Sequence, residues 1–153
     1  MTYGFGDPVR TLVFDGSIGY GTSATSETNA TKKIVLPFPS DLAVGDVVCV
    51  SYNGYGVSAG GNLTFEIGKS TVSGTSADGT WTSFDTPLTA GSNVTFGTSS
   101  DRKGDVVELT VTQDLVDHFA SGKPSMLTWY RNGGSSYKYA YAVMIYLKKA
   151  ASR

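Results

Sequence analysis

Histidine, cysteine and charge are scarce in this chain, and each shortage argues against a class of function. The 153 residues include one histidine and one cysteine, too few for a zinc site of several such ligands or for an intramolecular disulfide. Charged residues make up 16% with a net charge of −1, against about 25% in typical globular domains. No basic stripe offers a footprint for nucleic acid. We expect no metal, no cofactor and no nucleic-acid partner.

Long apolar runs are missing as well. No stretch approaches the roughly 20 residues that a transmembrane helix needs, so we expect no membrane partner. The N-terminus, MTYGFGDPVR, has neither a basic patch nor an apolar run, which predicts no signal peptide and synthesis in a cytoplasm. Residues 1–10 are expected to form an N-terminal arm and 11–153 a single β-sandwich domain. Cys49, inside Val47-Val48-Cys49-Val50, is predicted to be a small buried hydrophobe.

Small polar residues take the place of charge, and they separate short segments with alternating hydrophobicity. Thr (18), Ser (18) and Gly (19) together form over a third of the chain. Alternation with a period of two residues predicts half-buried strands. These strands are expected at residues 11–15, 33–38, 46–52, 63–67, 80–84, 93–96, 105–112, 125–131 and 137–148. Glu66 and Glu108 fall on the polar sides of this alternation and are expected to face solvent.

Turn chemistry separates the strands. Asn53-Gly54, Asp78-Gly79 and Lys103-Gly104 offer the positive φ angles of tight turns, and two Ser/Thr/Gly-rich loops are expected at residues 17–31 and 54–62. Short strands between such turns predict an all-β fold, an antiparallel β-sandwich, for which a jelly roll is the expected architecture.

The stretch QDLVDHFASGKP, residues 113–124, contains the single histidine and allows two interpretations. As a catalytic group, His118 would act with Asp114 or Ser121, but a lone side-chain pair without an oxyanion feature is a weak signal. As a helix, the segment has a cap at Thr112 or Asp114 and a glycine–proline stop. The second interpretation predicts a short helix at 115–121 that joins two strands, no catalytic residue, and a protein that is not an enzyme.

Aromatic residues near the turns indicate a contact surface. Sugar rings stack on such side chains, and neighbouring amides supply hydrogen bonds. We expect glycan or partner contacts at Tyr20, Tyr52, Asn53, Tyr55 and Trp81, with Tyr52 and Tyr55 the pair expected to be exposed. The alternative is that Trp81 and Trp129 belong to the sandwich core.

The last strand, residues 137–148, alternates large odd positions with smaller even ones. A central strand whose odd face is core explains the pattern, with the tyrosine hydroxyls reaching the rim. The alternative is that the tyrosines form an aromatic platform or a subunit contact. The positions expected to meet another subunit are Tyr3, Phe5, Tyr137, Tyr139 and Tyr141.

A resemblance follows from residues 107–125. The run Val107-Glu108-Leu109-Thr110-Val111-Thr112, then Leu115, Phe119, Gly122 and a new strand, resembles the strand–helix–strand unit of jelly-roll modules. Such modules occur in carbohydrate-binding domains and in viral capsid, decoration and fibre proteins. The Thr-, Ser-, Gly- and Tyr-rich composition is similar to that of bacteriophage virion proteins of the head decoration or tail and fibre type.

This resemblance implies a non-enzymatic phage structural protein, located in the virion and acting through protein–protein contacts. Its expected partners are other virion proteins and further copies of itself, with a trimer favoured, and a host-surface glycan. The alternative function is that of a carbohydrate-binding module that uses the exposed loop aromatics.

Overall fold

A computed structural model describes residues 10–16, 20–22, 33–56, 61–70, 81–92, 101–132 and 138–150. The described chain forms ten strands and one helix. In chain order these are β1 (Arg10–Gly16), β2 (Tyr20–Thr22), β3 (Lys33–Leu36), β4 (Val47–Gly56), β5 (Asn62–Ser70), β6 (Trp81–Thr82), β7 (Leu88–Gly91), β8 (Asp101–Thr110), α1 (Gln113–Ala120), β9 (Ser125–Asn132) and β10 (Lys138–Lys148).

The strands form two antiparallel sheets of five strands each. The first sheet has the order β1-β10-β4-β8, with β2 also paired to β10, and the second has the order β3-β9-β5, with β6 and β7 both paired to β5. Apart from β2 and β6, the pairing is nested: β1 pairs with β10, β3 with β9, β4 with β8, and β5 with β7. The chain therefore runs as a long ribbon of paired strands folded into two layers.

One apolar core fills the space between the layers. Alternate residues of β4 and β8 from the first sheet enter it, as do Leu63, Phe65 and Ile67 of β5 from the second. Trp129 of β9 is 2% exposed, which confirms the interpretation of this residue as core. The hydrophobic effect on these buried faces holds the sandwich together, since each sheet alone would expose one apolar side.

The predicted sandwich and most predicted strands are confirmed, but several boundaries are wrong. Asn53-Gly54 lies inside β4, where it pairs with both β8 and β10, and Lys103-Gly104 lies inside β8. These pairs form no turn because ladder partners on neighbouring strands hold them extended. The alternation signal also missed β2 and β7, which have only three and four residues. The predicted strand at 93–96 and the Asp78-Gly79 turn lie outside the described residues.

The predicted helix is confirmed between β8 and β9, with a start two residues earlier than expected. The Thr112 side chain caps it by accepting a hydrogen bond from the Leu115 N–H at 3.4 Å. Leu115 is fully buried, and Val116 and Phe119 pack against the core. The helix ends where Gly122 adopts a φ of 78°, a conformation that favours glycine.

Strand β10 contains an irregularity that changes which residues share a face. Its register with β4 shifts by one residue between Tyr141 and Met144, as in a β-bulge, where one strand has an extra residue. Beyond the shift, Ile145 and Leu147 are fully buried in the core. The expectation that one odd-numbered face runs along the whole strand is therefore wrong, because the extra residue exchanges odd and even positions.

The packing of Trp81 on the second sheet makes Gly68 a test of the fold. A Cβ atom at Gly68 would lie 2.2 Å from Cε2 of Trp81, so Gly68→Ala is expected to lower the free energy of unfolding by about 1–3 kcal/mol. Gly91→Ala is the matched control, because a Cβ there would meet nothing within 4 Å and should change stability by about 0.5 kcal/mol or less. Urea unfolding followed by tryptophan fluorescence measures both, and equal effects would contradict this packing.

Candidate functional site

The first sheet has one face in the core and a second face that points away from it, here called the outer face. Directly opposed residues of antiparallel strands share a face, so the register defines its rows. The described side chains on it include Cys49, Ser51 and Asn53 of β4, Val106 and Glu108 of β8, and Met144, Tyr146 and Lys148 of β10.

An apolar row crosses the middle of the outer face. Ser51 pairs with Val106 on one side and with Met144 on the other. Val106 is 43% exposed and Met144 39% exposed, and they are two of the three large hydrophobic residues found exposed in the described part of the chain. Exposed apolar residues that share one flat sheet face are typical of contact surfaces rather than of isolated surface positions.

A charged pair borders this row on one side. Lys148 Nζ lies 2.9 Å from Glu108 Oε1, above Cys49, which pairs with Glu108 and with Tyr146 in the ladder. Cys49 is fully buried, as predicted. Burial and then the Glu108 carboxylate raise the pKa of its thiol, which disfavours the reactive thiolate. Glu108 is exposed, as expected.

Asparagine and tyrosine positions border the row on the other side. Asn53 is exposed, and its side-chain oxygen lies over Gly104, where a Cβ would come within 2.9 Å of it. The register places Tyr141 opposite Asn53, and Tyr139 opposite Tyr55. Two predicted glycan-contact positions and two predicted subunit-contact positions thus fall on adjacent strands of one face.

Tyr52 does not belong to this face, and the expectation that it is exposed is wrong. It is 3% exposed, because its position in the β4 alternation points into the core. Its ring lies 5.0 Å from that of Phe65 across the two layers. Its hydroxyl donates a hydrogen bond to Ser92 Oγ, which donates in turn to Asp105 Oδ2 at 3.0 Å.

The other predicted site residues are dispersed. Trp81 lies on the second sheet, where its indole Nε1 donates to the Met126 carbonyl at 3.4 Å, so it does not join Asn53 and Tyr55. Tyr20 lies in β2, opposite Ala140 of β10. Tyr3, Phe5 and Tyr137 lie outside the described residues.

The single histidine lines a cleft of about 190 Å³ with Lys69, Phe84, Asp85, Asp114 and Asp117. His118 Nε2 lies 3.0 Å from the Pro124 carbonyl, and its ring meets that of Phe84 edge-on at 5.8 Å. Ser121 Oγ donates to the His118 carbonyl at 2.6 Å. The imidazole therefore stabilises the connection from α1 to β9. The Ser121 hydroxyl donates its hydrogen bond to the backbone and not to the ring.

The expectation that Glu66 faces solvent is wrong. The residue is 1% exposed. On the β9 side of Glu66 its face of the second sheet is closed to solvent, since Thr128, opposite Glu66, and Met126, opposite Gly68, are also buried. On the β7 side, Thr89 opposite Glu66 is exposed. Within the described ranges, no group of three His, Cys, Asp or Glu residues has an arrangement that could hold a metal ion.

A helix long and apolar enough to cross a membrane does not occur among the described residues.

Comparison with known proteins adds one structural similarity. No protein-family model matches this chain, and no curated protein matches it. A chain in the structure of infectious bursal disease virus Gx strain is similar with a TM-score of 0.30 and 11% sequence identity. The similarity covers 92% of this chain and 31% of that chain. The fold assignment made above depends on strand pairing alone.

Sequence reasoning named Asn53, Tyr55, Tyr139 and Tyr141 as contact positions but did not name the apolar row beside them. A signal for Val106 was present: in Val106-Val107 two apolar residues are adjacent, and only one of them can enter the core in a regular strand. The same signal was present for Met144, because it is adjacent to Ile145, which enters the core, and therefore faces the other way in a regular strand.

The buried Tyr52 hydroxyl predicts a pH dependence of stability. Burial, with a smaller contribution from the Asp105 carboxylate, raises the pKa of Tyr52 to about 12, although its hydrogen bond with Ser92 lowers it. Between about pH 10 and 12 the unfolded chain loses a proton that the folded chain keeps, so the free energy of unfolding falls as pH rises, by about 1–3 kcal/mol. Tyr52→Phe should reduce this fall, as measured by urea unfolding at several pH values; an unchanged fall would contradict the buried hydroxyl.

Proposed function

We propose that this chain is a non-enzymatic viral structural protein that acts through protein–protein contacts, as a bacteriophage head decoration or tail and fibre component. The nested strand pairing is the observation that carries the proposal. First pairs with last, second with second-to-last, and so on inward, over eight strands in two antiparallel sheets. This wiring supports a jelly roll, an architecture of viral capsid and lectin domains.

The surface of the first sheet supports an assembly role. Its outer face presents Val106 and Met144 to solvent, and the charges beside them are already paired as Lys148–Glu108. A face with apolar residues at its centre and polar residues at its border has the composition of a protein–protein interface. The composition supports the same role, because Thr, Ser and Gly together exceed a third of the chain, as in the virion proteins that it resembles.

The assembly role predicts association of identical chains. Purified protein is expected to have a mass of three chains, or a multiple of three, by size-exclusion chromatography with light scattering. In lysates of cells that produce the encoding virus, the chain is expected to sediment with intact particles. A monomer at all concentrations that is also absent from particles would refute the proposal.

Carbohydrate binding is the second candidate function, because the register brings Tyr55, Tyr139, Tyr141 and Asn53 to neighbouring positions of one face. Aromatic rings and an exposed amide suit the apolar faces and polar edges of sugars. The buried Tyr52 and the distant Trp81 are no longer part of this hypothesis.

A glycan array tests the second candidate. If sugars bind at this face, Tyr55→Ala and Tyr139→Ala should each lower binding at least tenfold, whereas Trp81→Ala on the other sheet should leave it unchanged. Absence of binding by the wild-type chain, or equal losses in all three variants, would exclude a sugar site here.

A further inference from the structure

We infer that two copies of this chain pack outer face against outer face, related by a two-fold axis that runs along β4 above Ser51. The inference names the partner and the surface of the assembly role proposed above and so depends on it. Isologous contacts require a surface that is complementary to itself. Three rows of the outer face, namely the apolar row, the charged row and the row of Asn53, are each complementary to themselves under this axis.

The apolar row is symmetric about its centre. A two-fold axis along β4 exchanges the positions of β8 and β10, which flank β4 in the sheet. Val106 of one copy then meets Met144 of the other, and Met144 meets Val106. Ser51, the small residue at the centre, faces its own counterpart and allows the two sheets to approach. Both exposed hydrophobic side chains of the row are buried by one operation.

The charged row is complementary under the same operation. Glu108 of the second copy arrives above Tyr146, because Glu108 and Tyr146 occupy the same row on either side of Cys49. Lys148 lies two residues further along the same strand, about 7 Å away. Its ammonium, which contacts Glu108 of its own chain at 2.9 Å, therefore lies between two carboxylates. Each copy contributes one such arrangement, and no like charges are brought together in this row.

The third row also has complementary positions. Gly104 and Tyr141 flank Asn53, so the axis places Gly104 of the second copy, which has no side chain, above the Tyr141 position. The axis brings three strands of each copy, β10, β4 and β8, over one another. At about 4.8 Å between strands and ten residues of about 3.3 Å each along β4, this overlap spans about 480 Å², the size of a small interface beside the roughly 800 Å² per partner of a standard one.

Charge-reversal variants at Glu108 and Lys148 test whether two copies pack in this way. Glu108→Lys and Lys148→Glu each place like charges across the axis, so each variant alone should lose this contact. Its mass by light scattering should then fall from six chains, the number that a two-fold pairing of trimers requires, to three. When the two variants are mixed, every contact between unlike copies pairs an ammonium with a carboxylate. The two substituted positions meet each other, and the unchanged Glu108 of one chain meets the unchanged Lys148 of the other. The mixture should regain the wild-type mass, although both chains still contain an internal like-charge pair.

Further variants keep the test independent of folding. Val106→Lys should also halve the mass, whereas Thr89→Lys, at an exposed position of the second sheet, should not, and circular dichroism verifies that each chain is folded. Wild-type mass in the single variants, or half mass in the mixture, would overturn the inference. Either result leaves sedimentation with particles as a separate test of the assembly role.

Discussion

The extra residue in β10 between Tyr141 and Met144 is the constraint on which the surface of this protein depends. Among the described strands of the first sheet, β10 alone pairs with three others, β1, β2 and β4. Without the shift, the positions of Tyr139 and Tyr141 would alternate in step with the buried Ile145 and Leu147. With it, they align with Asn53, Met144 and Tyr146 on the outer face. The extra residue therefore places odd-numbered positions on the outer face before it and even-numbered positions there after it.

The two layers are joined by aromatic packing and by one polar chain at the edge of the core. Rings of Tyr52, Phe65 and Trp129 follow one another at 5.0 and 6.0 Å, and Tyr52 continues through Ser92 to Asp105. Asp105 also accepts from the Val106 N–H at 2.8 Å. The polar chain fixes the backbone of β8 beside the exposed Val106, so the core and the outer face are coupled.

Sequence patterns predicted the layers better than the surface. Period-two alternation identified the core strands, and the Thr112 cap and Gly122 stop identified the helix, because both signals are local. Tyr52 and Asn53-Gly54 were misplaced because ladder partners on β8 and β10 extend β4 past them. Glu66 was misplaced because its neighbours in the second sheet bury it. No local pattern encodes such register.

The central claim, that copies meet face to face over Ser51, is tested most directly by cross-linking. Sheets that pack face to face lie about 10 Å apart, and the native Cys49 is fully buried, so Ser51→Cys offers one accessible thiol at the axis. The two thiols point towards each other across that gap, so a short, flexible bismaleimide should convert Ser51→Cys chains to covalent dimers, and Thr89→Cys chains on the other sheet should stay monomeric. Equal cross-linking of the two variants, or none in Ser51→Cys, would contradict the account.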